Sequence, residues 1–212
     1  MVKVNPGSGR DFLKGEAVNN LIDRVKRILL SPKDEWPRIA GESATVQSLY
    51  LGYIVVLAAI GPLATLVSFA VLGSGFGLGA AVFAYIHSLV GVAILALIVD
   101  LLAPTFGGSR DYLAAMKLVA YSFTAVWVAQ IALLIPVIGY LVVLIGLIYG
   151  FYLFFLGVPI LKKATADKAV PFTIVVVISA IVLMYLLGMI ARGLGFGFGA
   201  GPMAAGPLGV PR

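Results

Sequence analysis

Apolar residues in this chain gather into long runs with almost no charge, and those runs predict its elements. A helix crossing a hydrocarbon core of roughly 30 Å needs about 20 mostly apolar residues. Residues 49–72 (LYLGYIVVLAAIGPLATLVSFAVL) carry no charge and form the first such run. Residues 80–103 form the second, with His87 inside it and Asp100 near its end. Residues 112–135 form the third, with Lys117 early and Gln130 late, and residues 140–161 and 171–191 the fourth and fifth. One boundary needs a length argument. Across residues 118–161 Gln130 is the one strongly polar side chain, yet a single helix of that length would extend about 66 Å, twice the membrane. The chain must fold back there. Pro136 and Gly139 in IPVIGY supply the break, because proline lacks an amide donor and glycine tolerates turn geometry. The expected fold is all-α, a polytopic bundle of five transmembrane helices.

Ahead of the first run the pattern changes. In residues 19–30 (NNLIDRVKRILL), Leu21, Ile22, Val25, Ile28 and Leu29 share one arc at 3.6 residues per turn, while Asp23, Arg24, Lys26 and Arg27 fill the rest. Such an N-terminal amphipathic helix suits a membrane surface or the underside of the bundle, and a protein-partner surface is the alternative. Ser31 can cap a second helix, with Pro32 at its first position and Asp34 and Glu35 at its positive end. Trp36 offers an indole to the lipid interface or to the bundle. With Arg24, Lys26 and Arg27 it makes a set of interfacial anchors. The chain thus divides into a leader, 1–48, a membrane domain, 49–191, and a Gly-rich tail, 192–212, expected to be flexible.

Composition sharpens the class. The chain is 61% apolar and 11% charged, against roughly 45–50% and about 25% in soluble domains. A water-soluble enzyme is nearly excluded by that surplus. Cysteine is absent, which removes disulfides, thiolate metal sites and thiol nucleophiles. The net charge of +6 is better explained by anionic lipid than by nucleic acid, so the expected partners are the bilayer and other membrane proteins. Of the Lys and Arg residues, thirteen fall in the leader and around the second and fourth connections, and two, Arg192 and Arg212, fall on the other side. That bias predicts a cytoplasmic N-terminus and an external C-terminus. The first 48 residues have no leading apolar core, so the first span is expected to direct insertion.

Candidate chemistry is sparse. On the fourth span Gly139, Gly146, Gly150 and Gly157 fall within about 40° of one another around the helix, and 146–150 is a GxxxG. Such a face lets two helix backbones approach, either inside the bundle or across a seam between copies. Ionisable groups at membrane depth invite a functional reading. Asp100 and Lys117 share one depth and could pair; alternatively Lys117 snorkels to headgroups while Asp100 meets water. His87 and Gln130 share a level in the other half, where a hydrogen-bonded packing role competes with a ligand or proton-carrying role. No catalytic motif, cofactor loop or metal-ligand cluster is recognisable, and the Gly-rich stretches at residues 73–79 and 195–201 do not fit GxGxxG and read as linkers.

Four segments carry a resemblance: SPKDEWPRIAGE before the first span, GGSRDYLAAMKLVAYS entering the third, IYGFYLFFLGVPILKK ending the fourth, and DKAVPFTIVVVIS opening the fifth. Over residues 21–191 the chain resembles the bacterial branch of the Yip family, Ypt/Rab-interacting membrane proteins of five spans. It departs from that pattern at Thr124-Ala125-Val126, where relatives often place a proline, and it lacks a DLYGP-like motif. The resemblance implies a non-enzymatic membrane organiser with no catalytic residues to transfer. Eukaryotic members bind prenylated small GTPases, partners that a bacterial relative lacks. The leading expectation is therefore an adaptor or organiser of the bacterial inner membrane that self-associates or binds other membrane proteins. The competing one is a small-solute or ion transporter using His87, Asp100, Lys117 and Gln130.

Overall fold

The computed structural model describes residues 8–71, 78–135 and 137–193. Two leader helices, α1 (Ser8–Leu30) and α2 (Pro32–Gly41), precede five helices long and apolar enough to cross a membrane. These spans are Val46–Val71, Leu78–Phe106, Tyr112–Leu134, Ile138–Leu161 and Asp167–Ile190. Among the described residues every regular element is helical. The Gly-rich linker after the first span, Pro136 and the tail from residue 194 lie outside them.

Local chemistry explains the element ends. Thr45 opens the first span with a reciprocal capping box: its hydroxyl accepts from Ser48 N and Ser48 Oγ accepts from Thr45 N, both at 3.0 Å. Asp111 caps the third span by accepting from Ala114 N at 3.0 Å. Ser31 differs from its expected role, for its side chain makes no capping bond; its carbonyl accepts from Asp34 N and Glu35 N instead. The third span tightens over Gln130–Leu134 and turns through Val137, at φ 70°, into the fourth. Gly139 N then donates to Ile135 O at 2.9 Å.

The spans close a ring in the order first, second, fifth, fourth, third, and the second also touches the third on the leader side. The third span is the centre of the bundle. Half of its most apolar stretch is buried, against 6% for the fifth. Core density is uneven along the membrane normal. Towards the leader, Leu95, Val99, Leu118, Val119, Leu153 and Val158 fill the ring, and Ile28, Trp36 and Ile39 of the leader seal it from below. Towards the other end the facing positions are small, including Ala58, Gly61, Ala84, Ser88 and Ala180, and the ring stays open. A π turn at Tyr50–Ile54 lies in the first span. Around it Tyr50 donates to Leu89 O at 2.5 Å, and Tyr53 shares a 2.7 Å bond with Thr124.

Candidate functional site

The glycine face of the fourth span packs within the chain. A Cβ on Gly146 would approach Ala125 O to 2.9 Å, one on Gly150 would meet Ser122 O at 3.0 Å, and one on Gly157 would meet Trp36 Cε2 at 2.9 Å. Gly139 lies against the backbone of Ala132 and Leu133. All four glycines thus seat the third span, Gly157 through Leu118, and Gly157 also seats the indole of Trp36. Within the chain the third span and Trp36 take up this face, as the packing alternative expects.

The leader is held by charge as well as by apolar packing. Glu35 is buried and accepts from Arg24 Nη1 at 2.5 Å and from Arg27 Nε at 3.1 Å, with Arg38 Nη1 at 3.7 Å. Arg24 also bonds Glu42, and its guanidinium lies 5.7 Å above the ring of Tyr121. Burial pulls the Arg24 pKa down, but the Glu42 hydrogen bond and the facing groups outweigh it and leave it above the ordinary arginine value. Trp36 is fully buried, edge-on to Tyr121 at 6.4 Å, and its Nε1 has no hydrogen-bond partner. Of the expected anchors, Trp36 packs into the bundle and Arg24 and Arg27 meet Glu35, Arg27 staying half-exposed. Lys26 stays exposed. Sequence periodicity misses this because Glu35, the residue that draws the arginines inward, sits on a different helix.

Asp100 and Lys117 do not pair. Lys117 Nζ donates to Ile39 O at 2.9 Å and to Glu42 O at 2.7 Å. It thereby binds carbonyls at the end of α2, where a cation also meets the negative end of the helix dipole. Asp100 Oδ1 accepts from Lys162 Nζ at 2.7 Å and from Asp111 N at 2.7 Å. Lys162 donates again to Asp111 O at 2.9 Å, and its own carbonyl accepts from Ser109 N at 2.8 Å. Gly108 is required there, since a Cβ would fall 2.7 Å from Lys162 O. One buried ammonium therefore ties the second–third connection to the end of the fourth span. Lys117 thus turns to the leader, while Asp100 keeps some exposure beside its partners.

His87 and Gln130 line a common cavity of about 700 Å³ inside the open half of the ring. All five spans contribute to its wall, with Phe83, Phe123, Trp127 and Phe151 prominent. Leu95, Ser122, Phe154 and Val176, all buried, form its floor towards the leader. From floor to mouth the third span runs from Ser122 to Leu133, about 17 Å of helix rise. Gln130 lies against the Gly61 backbone, where a Cβ would come within 2.7 Å of its Cδ. Thr65 donates to Gly61 O at 2.8 Å, and the His87 ring lies 6.1 Å from that of Phe83. Ser122 Oγ is buried without a hydrogen-bond partner. Sequence reading places His87 and Gln130 at one depth but has no signal for Ser122, an ordinary-looking serine in AYS. No group of three or more His, Cys, Asp or Glu residues suited to a metal occurs among the described residues.

Comparison with known protein families finds a match. The family model described as Yip1 domain aligns with residues 26–190, from the leader helix to the end of the fifth span. No curated protein and no solved structure matches the chain.

Proposed function

This chain belongs to the Yip1 domain family, and from that premise we propose that it is a non-enzymatic organiser or adaptor of the membrane, self-associating or binding other membrane proteins. The reading sets it in the bacterial branch and in the inner membrane, with the leader cytoplasmic. Basic residues support that orientation. Even with Arg24, Lys117 and Lys162 engaged inside the protein, the leader end keeps the larger share of cations.

One observation carries the choice between organiser and transporter: the leader half is closed. Asp100 and Lys117, which a polar path would need, are consumed by Lys162 and by the α2 carbonyls. Below the cavity floor the ring is filled by Val99, Leu118, Val119 and Val158. The scaffold therefore presents a fixed leader plate on one side and lipid-facing helices around it. Single cysteines introduced into this cysteine-free chain at Leu51, Val90, Ile148 and Ile174, all lipid-facing, test association by oxidative crosslinking in native membranes. The organiser reading expects adducts concentrated at one of these faces. A chain that remains uncrosslinked at every face contradicts it.

The cavity favours a second reading, a small-solute or ion transporter, because His87 and Gln130 both face it. Flux into proteoliposomes decides this. Transport that falls with His87→Ala supports it, and no transport of any tested ion or solute removes it.

A further inference from the structure

We propose that the cavity between the five spans holds one acyl chain of a phospholipid from the surrounding bilayer, its ester end level with Gln130 and its methyl end at the floor. This goes beyond the organiser reading and does not depend on it.

The choice of occupant follows from volume and wall chemistry. Filled with water, about 700 Å³ would take roughly twenty molecules at about 30 Å³ each, and each needs two to four polar partners. Thr65, His87, Ser88, Ser122 and Gln130 are the polar side chains in the wall. Most of the wall therefore offers water no hydrogen-bond partner. The remainder is aromatic and aliphatic, the composition of a site for an apolar ligand with a few orienting groups, and its volume falls in the usual range for such sites. Along the third span the lining extends from Ser122 to Leu133, about 17 Å of helix rise, which gives an acyl chain room to lie along the helices. Of the polar groups, Ser122 lies at the floor. Thr65, His87 and Gln130 lie towards the mouth, and the side-chain amide of Gln130 makes no hydrogen bond within the described protein. That amide is therefore available to donate to an ester carbonyl, which is where a lipid entering tail-first from the leaflet opposite the leader presents one. The fifth span supplies the least embedded wall, with Val176, Ala180, Met184 and Gly188 repeating every four residues along the cavity.

Photolabelling of the full chain tests this. The protein is reconstituted in vesicles of phosphatidylethanolamine and phosphatidylglycerol containing a trace of phosphatidylethanolamine with a diazirine at the end of one acyl chain. A parallel sample carries a free fatty acid with the same diazirine, and adducts are mapped by peptide mass spectrometry. The expected result is labelling of Phe151 and Phe154 by the phospholipid probe, several-fold above the fatty acid probe. Ala180→Phe should cut that labelling at least tenfold and leave the lipid-facing Ile148 and Ile174 labelled as before. Gln130→Leu should lower it several-fold, and Ser122→Ala should leave it unchanged, since the floor meets the methyl end. Should Ala180→Phe fail to fold, Ala84→Phe fills the space from the second span, and the parent map still decides. Labelling confined to Ile148 and Ile174 overturns the proposal. Stronger labelling by the fatty acid assigns the cavity to a free acid, and loss with Ser122→Ala assigns it to a polar ligand; either outcome overturns it as well.

Discussion

Replacing Lys162 by methionine isolates the buried ion pair from its surroundings. The side chain of Lys162 is fully buried, and its ammonium holds Asp100 at 2.7 Å and Asp111 O at 2.9 Å. Methionine keeps most of the aliphatic stem but leaves the Asp100 carboxylate with Asp111 N as its remaining partner. Removing one member of a buried pair costs about 3–5 kcal/mol, because the other charge stays desolvated. Asp100 retains 13% side-chain exposure, so the lower end, about 3 kcal/mol, is expected. For a chain of this size that corresponds to a fall of roughly 6–12 °C in the unfolding midpoint. The double variant Asp100→Asn with Lys162→Met removes both charges and should recover most of the loss, since a neutralised pair leaves no stranded ion. Neighbouring Lys163 is exposed, and Lys163→Met should change stability by less than about 0.5 kcal/mol. Unfolding is followed in mixed micelles by titration with a denaturing detergent, with the parent, Lys162→Met, Asp100→Asn and the double variant compared in a double-mutant cycle. A Lys162→Met variant within about 0.5 kcal/mol of the parent, or a double variant at the plain sum of two losses, would refute the reasoning.

Other expectations follow from the same contacts. Gly146→Leu and Gly150→Leu should each cost about 1–3 kcal/mol or more, because the new side chain meets backbone of the third span; Gly52→Ala, with open space around it, should be neutral, and the same titration compares them. Glu35→Ala removes the buried carboxylate shared by Arg24 and Arg27, leaving Arg24 with Glu42 and Arg27 half-exposed, and should destabilise by about 1–3 kcal/mol, with faster proteolysis of the leader as its readout. Val137 is a β-branched residue held at φ 70°, so Val137→Gly should raise stability by about 1 kcal/mol in thermal unfolding.

The spans were legible because length and charge-free composition are one-dimensional properties, and the fold-back in residues 118–161 followed from length alone. The glycine face was legible too, though not its occupant: a sequence shows that a backbone can approach, not which helix does. Lys162 shows the limit most plainly. In GVPILKK it is one of two adjacent lysines after an apolar run, and counting cations treats both alike as loop charges. In the fold Lys162 turns inward, because Gly108 lets the second–third connection come close enough to place Asp100 and Asp111 beside it. Trp36 was ambiguous for the same reason. Its burial depends on the notch at Gly157, which lies far along the chain on a different helix. The cavity emerges from small residues on five separate spans, a coincidence of depth that no single-helix pattern encodes.

Reporter fusions to each terminus test the central claim directly. Five crossings with the leader plate on the cytoplasmic side predict an N-terminal reporter active in the cytoplasm and a C-terminal one active outside. Both reporters active in one compartment would contradict an odd number of crossings, and with it the ring of spans that encloses the cavity.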